Sequence, residues 1–160
     1  AAWDELVRGT PDADAAGYKT LLAEGEAIER FFQSEIDRLA QSRLVTPVRL
    51  RGEPVDPLQA RRHGLPTLVD GECAWHAVSG LGINASMLFA SELGNRLAEQ
   101  SGSFGLVWQY GADGEAKVSL RAAGKVDVAE IATRYGGGGH PNAAGFRLPF
   151  ARLASEILGK

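Results

Sequence analysis

The sequence predicts an α/β domain, a mixed β-sheet flanked by helices, led into by a long N-terminal connecting helix. Three observations predict it. Strand-like and helix-like segments mix without strict alternation from residue 44 onward, the pattern of a mixed sheet. A segment rich in aromatic and β-branched residues, 104–110, and one in which Val118 and Leu120 alternate with Lys117, Ser119 and Arg121, 116–121, flank the turn Gly111-Ala112-Asp113-Gly114 and read as a hairpin. Tyr18, Leu21, Leu22, Gly25, Ile28, Phe32, Ile36 and Leu39 recur at three- and four-residue intervals, as on one face of a helix.

Composition bounds the answer. The chain has 160 residues, 44% hydrophobic and 23% charged, which is one domain's worth of ordinary globular sequence rather than a disordered tail or fibrous repeat. No stretch approaches the roughly 18 apolar residues of a membrane span, and no basic-then-apolar leader is present, so membrane and secreted classes are set aside. The single cysteine, Cys73, cannot form an internal disulfide, which suits a reducing, cytoplasmic setting. Residue 1 is alanine and the single methionine is Met87, which leads us to expect a piece of a longer protein. Net charge is −3 and uneven: residues 117–160 hold seven basic and three acidic side chains. A local positive field attracts anions even on an acidic protein.

The elements follow in order. The first helix is expected near residues 14–40, with Pro11, Asp12 and Asp14 suited to its positive end. Val45, Val48 and Leu50 suggest a short strand, and 52–66, holding Arg61, Arg62 and His63, a loop. Leu65–Val69 and Trp75–Val78 are short strands around an Asp70-Gly71 turn, and Ala85–Gln100 is a second helix. After the hairpin, Asp127 opens a short helix reaching Arg134. Phe146–Leu148 returns as a strand, and Phe150–Leu158 closes the chain as a helix. We therefore expect residues 1–43 to form a connecting helix and 44–160 a domain.

Between the last short helix and the returning strand lies Gly136-Gly137-Gly138-Gly139-His140-Pro141. Consecutive glycines lose much backbone entropy on folding, so the run asks for a reason. A flexible linker, a structural turn and an anion-binding loop are the alternatives. The packed flanks Ile131, Phe146 and Leu148 argue against a tether. A loop without Cβ atoms lets backbone N–H groups converge on an anion, with His140 adding a donor and Ala143-Ala144 keeping the far side shallow. No Gly-Lys-Ser/Thr ends the run, and no dinucleotide fingerprint follows a strand.

The stretch Gly137-Gly138-Gly139-His140-Pro141-Asn142-Ala143-Ala144-Gly145 resembles the Gly-Gly-Gly-His-x-x-Ala-Ala-Gly signature of the DHH-associated C-terminal domain of DHH phosphoesterases. Val118-Ser119-Leu120-Arg121 is similar to the strand whose serine and arginine face the substrate phosphate, and Ser91–Asn95 to the start of that family's middle helix. The likeness covers about residues 80–150. It implies that Gly137, Gly138, Gly139, His140, Asn142, Ala143, Ala144, Arg121 and Ser119 bind the phosphate of a nucleotide or short single-stranded oligonucleotide. It also implies an N-terminal catalytic lobe, carrying Asp-His-His and holding Mn²⁺ or Mg²⁺, that hydrolyses the phosphoester. This chain contains no Asp-His-His, so the fragment itself is expected to be inactive, with no catalytic residue and no metal of its own. A homodimer is a further possible arrangement. The alternative is a non-catalytic nucleic-acid-binding or dimerising module, like the related domain that closes some alanyl-tRNA synthetases.

Other signals are weaker. Cys73 and His76 have half the ligands of a structural zinc site, and Cys73 reads instead as a buried thiol. Trp108 and Tyr110 share a strand face and suit core or hairpin packing better than base stacking.

Overall fold

The computed structural model describes residues 11–159. The chain divides into two units, residues 1–38 and 39–160. Helix α1 runs Pro11–Ala40, its last two residues belonging to the second unit. Its solvent face carries the pairs Glu35–Arg38 at 2.7 Å and Gln33–Glu29 at 2.8 Å. Tyr18, Leu21, Leu22, Ile28 and Phe31 are exposed along it. The amphipathic period was legible, but those apolar side chains are not packed away. The expected start at Asp12 and Asp14 falls on side chains outside the described ones, as do residues 1–10 of the expected connecting segment.

The second unit is built on one seven-stranded sheet. Strands β1 (Thr46–Val55), β3 (Cys73–Asn84), β4 (Phe104–Tyr110), β5 (Glu115–Ala122), β7 (Ala143–Pro149) and β6 (Gly138–His140) lie in the order β1-β3-β4-β5-β7-β6. Strand β2 (Thr67–Asp70) also pairs with β3. Only the β3–β4 pairing is parallel. Helix α2 (Pro57–His63), helix α3 (Ala90–Ser101) and helix α4 (Val128–Thr133) connect them, and the chain closes through Phe150–Arg152 into a π-helical turn, Leu153–Ile157.

Several boundaries differ from expectation for local reasons. The stretch 52–66 is not a plain loop: β1 continues to Val55 past an irregularity between Arg51 and Pro54, and Asp56 caps α2 by accepting from the Leu58 and Gln59 amides. An Asp before Pro at the first helical position is a start signal that the surrounding Gly and Pro obscured. The second helix starts later than Ala85, because a 3₁₀ turn at Met87–Phe89, capped by Ser86, precedes it. Asp127 caps α4 as expected, accepting from Ala129 and Glu130. Cys73 is exposed, not buried, since it begins β3 beside the Asp70-Gly71 turn.

Strand alternation gives the sheet two faces. One holds Leu106, Trp108, Val118, Leu120, Ala144 and Phe146, and packs with Val128, Ile131 and Ala132 of α4 and with Leu153 and Ile157 as a single core. On the other, α3 lies against β4. A Cβ on Gly105 would collide with the Gly94 carbonyl, so glycine there sets how closely helix meets sheet.

A polar anchor joins the margins. Arg51 donates to Glu156 at 2.7 Å and pairs with Asp70 at 2.8 Å, and Arg152 also binds Glu156. The Arg51 backbone N–H donates to the Tyr135 hydroxyl at 3.0 Å, and the Tyr135 ring stacks on Phe146 with centroids 4.7 Å apart. Burial pushes the Tyr135 phenol above its ordinary value of 10.0, partly offset by the Arg51 hydrogen bond. A raised phenol favours the protonated fold, so its contribution is complete below pH 10.0 and is lost as pH rises through the raised value. Tyr135→Phe should therefore cost about 1 kcal/mol at pH 7, one net hydrogen bond. In urea titrations, its gap to wild type should narrow above pH 10.0.

Candidate anion-binding face

The face opposite the core carries the candidate site. Register places Gly105, Arg121, Ala143 and His140 in one row across β4, β5, β7 and β6, with Val107, Ser119, Gly145 and Gly138 in the next. Residues opposite one another in antiparallel strands share a face, so Arg121, Ser119, Ala143, Gly145, Gly138 and His140 form one patch. Its floor is glycine and alanine. Helix α3 bounds it on the β4 side, and β6, the last strand of the sheet, bounds it on the other.

Arg121 is the centre of the patch. Its Nη1 donates to Ser119 Oγ at 3.1 Å and to the Leu120 carbonyl at 2.9 Å, and its Nη2 to Ser91 Oγ at 2.6 Å. Among the described residues, no carboxylate lies within ion-pair distance of it. Helix α3 fixes its stem as well: a Cβ on Gly94 would sit 2.9 Å from the Arg121 Cγ. A half-buried guanidinium held by neutral oxygens keeps its charge uncompensated, and its planar fork suits an oxyanion.

The glycine run is not the amide nest that its composition suggested. Gly138–His140 form strand β6, and the Gly137 N–H is consumed by the Ala132 carbonyl at 2.9 Å, the Gly136 N–H by Thr133 at 3.0 Å. Their purpose is largely steric. A Cβ on Gly137 would collide with the Gly145 carbonyl and with Phe146, and one on Gly139, at φ 148°, with Ala143 and Ala144. Gly138 differs: nothing lies within 4 Å of where its Cβ would be, and it is exposed on the Arg121 face. Because antiparallel pairing turns alternate N–H groups outward, the unpaired edge of β6 presents at least one backbone donor.

The remaining expected residues divide. His140 is exposed about 10 Å from Arg121 by strand spacing, two ladder steps away. Asn142 is exposed in the two-residue turn, where its carbonyl accepts from the Ala122 N–H. Ala143 lies on the patch. Ala144 does not: its methyl faces the core, paired with Leu120, so its part is packing. Ser91 joins the group although sequence reasoning treated it only as a helix start; its spacing from Arg121 carries no local signal. Trp108 is buried, and Tyr110 packs edge-on against Phe150 at 5.3 Å. Among the described residues, no group of three or more His, Cys, Asp or Glu comes together that could hold a metal.

With that geometry in hand, the comparisons are direct. The DHHA1 domain family model matches residues 76–159, and the chain belongs to that family. The chain is 48% identical over 76 residues to the uncharacterized protein R106 of Acanthamoeba polyphaga mimivirus, covering 41% of this chain and 18% of that protein. A pGpG-specific phosphodiesterase from Vibrio cholerae, PggH, aligns with a TM-score of 0.36 at 12% identity, covering 47% of this chain and 29% of that one. An uncharacterized protein from Helicobacter pylori G27 aligns at 0.34 with 30% identity, over 57% of this chain and 24% of that one. The chain thus spans less than a third of each of these relatives.

The glycines make separable predictions. Gly138→Ala should leave the urea midpoint nearly unchanged, because only open space receives the methyl. Gly137→Ala should cost about 1–3 kcal/mol, the range for overpacking. Paired urea titrations on the two variants separate these effects.

Proposed function

We propose that this chain is the substrate-binding domain of a DHH-family phosphohydrolase, gripping the phosphate of a nucleotide or short single-stranded oligonucleotide for an N-terminal catalytic lobe. The observation that carries it is the Arg121 guanidinium, held by Ser119, Ser91 and the Leu120 carbonyl with no carboxylate among the described residues to neutralise it. An oxyanion beside Arg121 meets a fixed cation and two hydroxyls already oriented, while β6 lies two strands away at the margin of the same face. His140 closes the far side as a further donor. The open space over Gly138 lets a phosphoryl oxygen approach the backbone closely.

Hydrolysis in this reading belongs to that lobe, with its divalent metal. The described residues of this chain do not fit such a metal, so their share is binding and orientation. Holding the scissile phosphate still is a catalytic contribution in itself, because it removes the entropy of bringing the reacting groups together. The uncompensated arginine on β5 supports this reading over a purely structural or dimerising module.

Calorimetric titration with a nucleoside 5′-monophosphate tests it. Arg121→Ala should weaken binding about 10- to 100-fold, the size of lost hydrogen bonds to a charged group, and His140→Ala should weaken it less. With an N-terminal lobe joined, both should lower Mn²⁺-dependent phosphoester hydrolysis. Wild-type affinity and rate in both variants would reject the assignment.

A further inference from the structure

We propose that this chain pairs with a second copy of itself, the exposed stripe of helix α1 in each copy seating in an apolar groove between α2 and β2 of the other. The groove is a cavity of about 330 Å³ lined by Pro57, Leu58, Leu65, Val69 and Ala74, with Arg61 and Thr67 as its polar members. Leu58 is 76% exposed and Val69 71%, so both walls stand open. Local chemistry builds them. Asp56 starts α2, and Gly64, at φ 63°, ends it in the left-handed conformation. The Leu65 N–H then donates back to the Ala60 carbonyl at 2.9 Å, which sets Leu65 at the end of the groove. On the sheet side, register puts Val69 opposite Ala74 and Thr67 opposite His76.

Charge decides what fits there. Arg61, Arg62 and His63 fill the last turn of α2, and among the described residues none of them has an ion pair. The nearby acids are placed otherwise: Asp56 accepts from amides at the helix start, Asp70 pairs with Arg51, and Glu72 lies in the β2–β3 turn. An apolar groove with a basic rim selects an amphipathic helix with acidic flanks. Helix α1 has that character. Leu21, Leu22 and Ile28 are exposed on it at helical spacing, and between residues 21 and 29 it carries Glu24, Glu26 and Glu29 and no basic residue. Arg30 stands just beyond and pairs with Glu26 at 3.8 Å. Both surfaces lie outside residues 76–159, the stretch that the DHHA1 model matches, so the contact is separate from the Arg121 face. Reciprocal exchange engages both surfaces of both copies and closes the assembly at two.

Sedimentation velocity on the 160-residue chain, over a range of concentrations, tests this. The chain should behave as a monomer–dimer equilibrium that weakens as salt is added. Leu58→Ala and Ile28→Ala, both at exposed positions, should each raise the dimer dissociation constant about tenfold, the effect of losing an apolar anchor. Arg61→Glu with Arg62→Glu in one chain, and Glu24→Lys with Glu29→Lys in another, should each abolish the dimer. An equimolar mixture of these two variants should restore it, because acid then meets base across both contacts. Circular dichroism and urea midpoints establish that every variant is folded. A monomer at every concentration would overturn the proposal. Sensitivity to Ile28→Ala without sensitivity to Leu58→Ala would overturn it as well, since helix would then pair with helix. So would a mixture of the charge-reversed variants that stays monomeric. Nucleotide binding at Arg121 stands or falls independently of all three results.

Discussion

An arginine with no carboxylate partner among the described residues organises this domain's exposed face. Partly buried guanidinium groups usually meet an acid, because an unpaired charge away from water is costly. Arg121 instead meets two serine hydroxyls and a backbone carbonyl, which fix its position without cancelling its charge. Everything nearby serves that arrangement. Gly94 leaves room for its stem, Gly105 lets α3 approach near enough for Ser91 to reach its tip, and Ala143 and Gly145 keep the floor beside it low.

The opposite face explains why the patch stays flat. Phe146, Leu120 and Val118 anchor β5 and β7 in a core closed by α4 and the C-terminal turn. Tyr135, the last residue before the glycines, is held by its ring against Phe146 and by its hydroxyl against the Arg51 amide. The salt-bridge cluster of Arg51, Asp70, Glu156 and Arg152 fastens that point to the first strand and the chain's end. The start of β6 is thus set by the core side of the sheet, while its exposed side is left to the site.

Much of this could be read from the sequence, for reasons that differ by element. The β4–β5 hairpin was legible because its turn and alternation are local, and α4 because Asp127 is a cap at its start. The Arg121–Ser119 pair was legible because two residues at alternate positions of one strand must share a face. Ser91 was not, since thirty residues and a whole helix separate it from its partner. The glycine run was legible as a special segment, but its local form was not. Composition could not distinguish amides gathered around an anion from a strand lying tightly on its neighbour, because both require the missing Cβ. Ala144 failed as a surface residue for the complementary reason: its neighbour Ala143 has the same chemistry, and only register decides which of the two turns inward.

The glycine strand has a mechanical side as well. Three residues with one strand neighbour, two of them lacking side chains, leave the margin of the sheet with an unpaired edge. Local opening there costs less than in the strands behind it. Whatever bonds to its outer edge supplies the missing second neighbour, so occupancy and rigidity at this margin rise together.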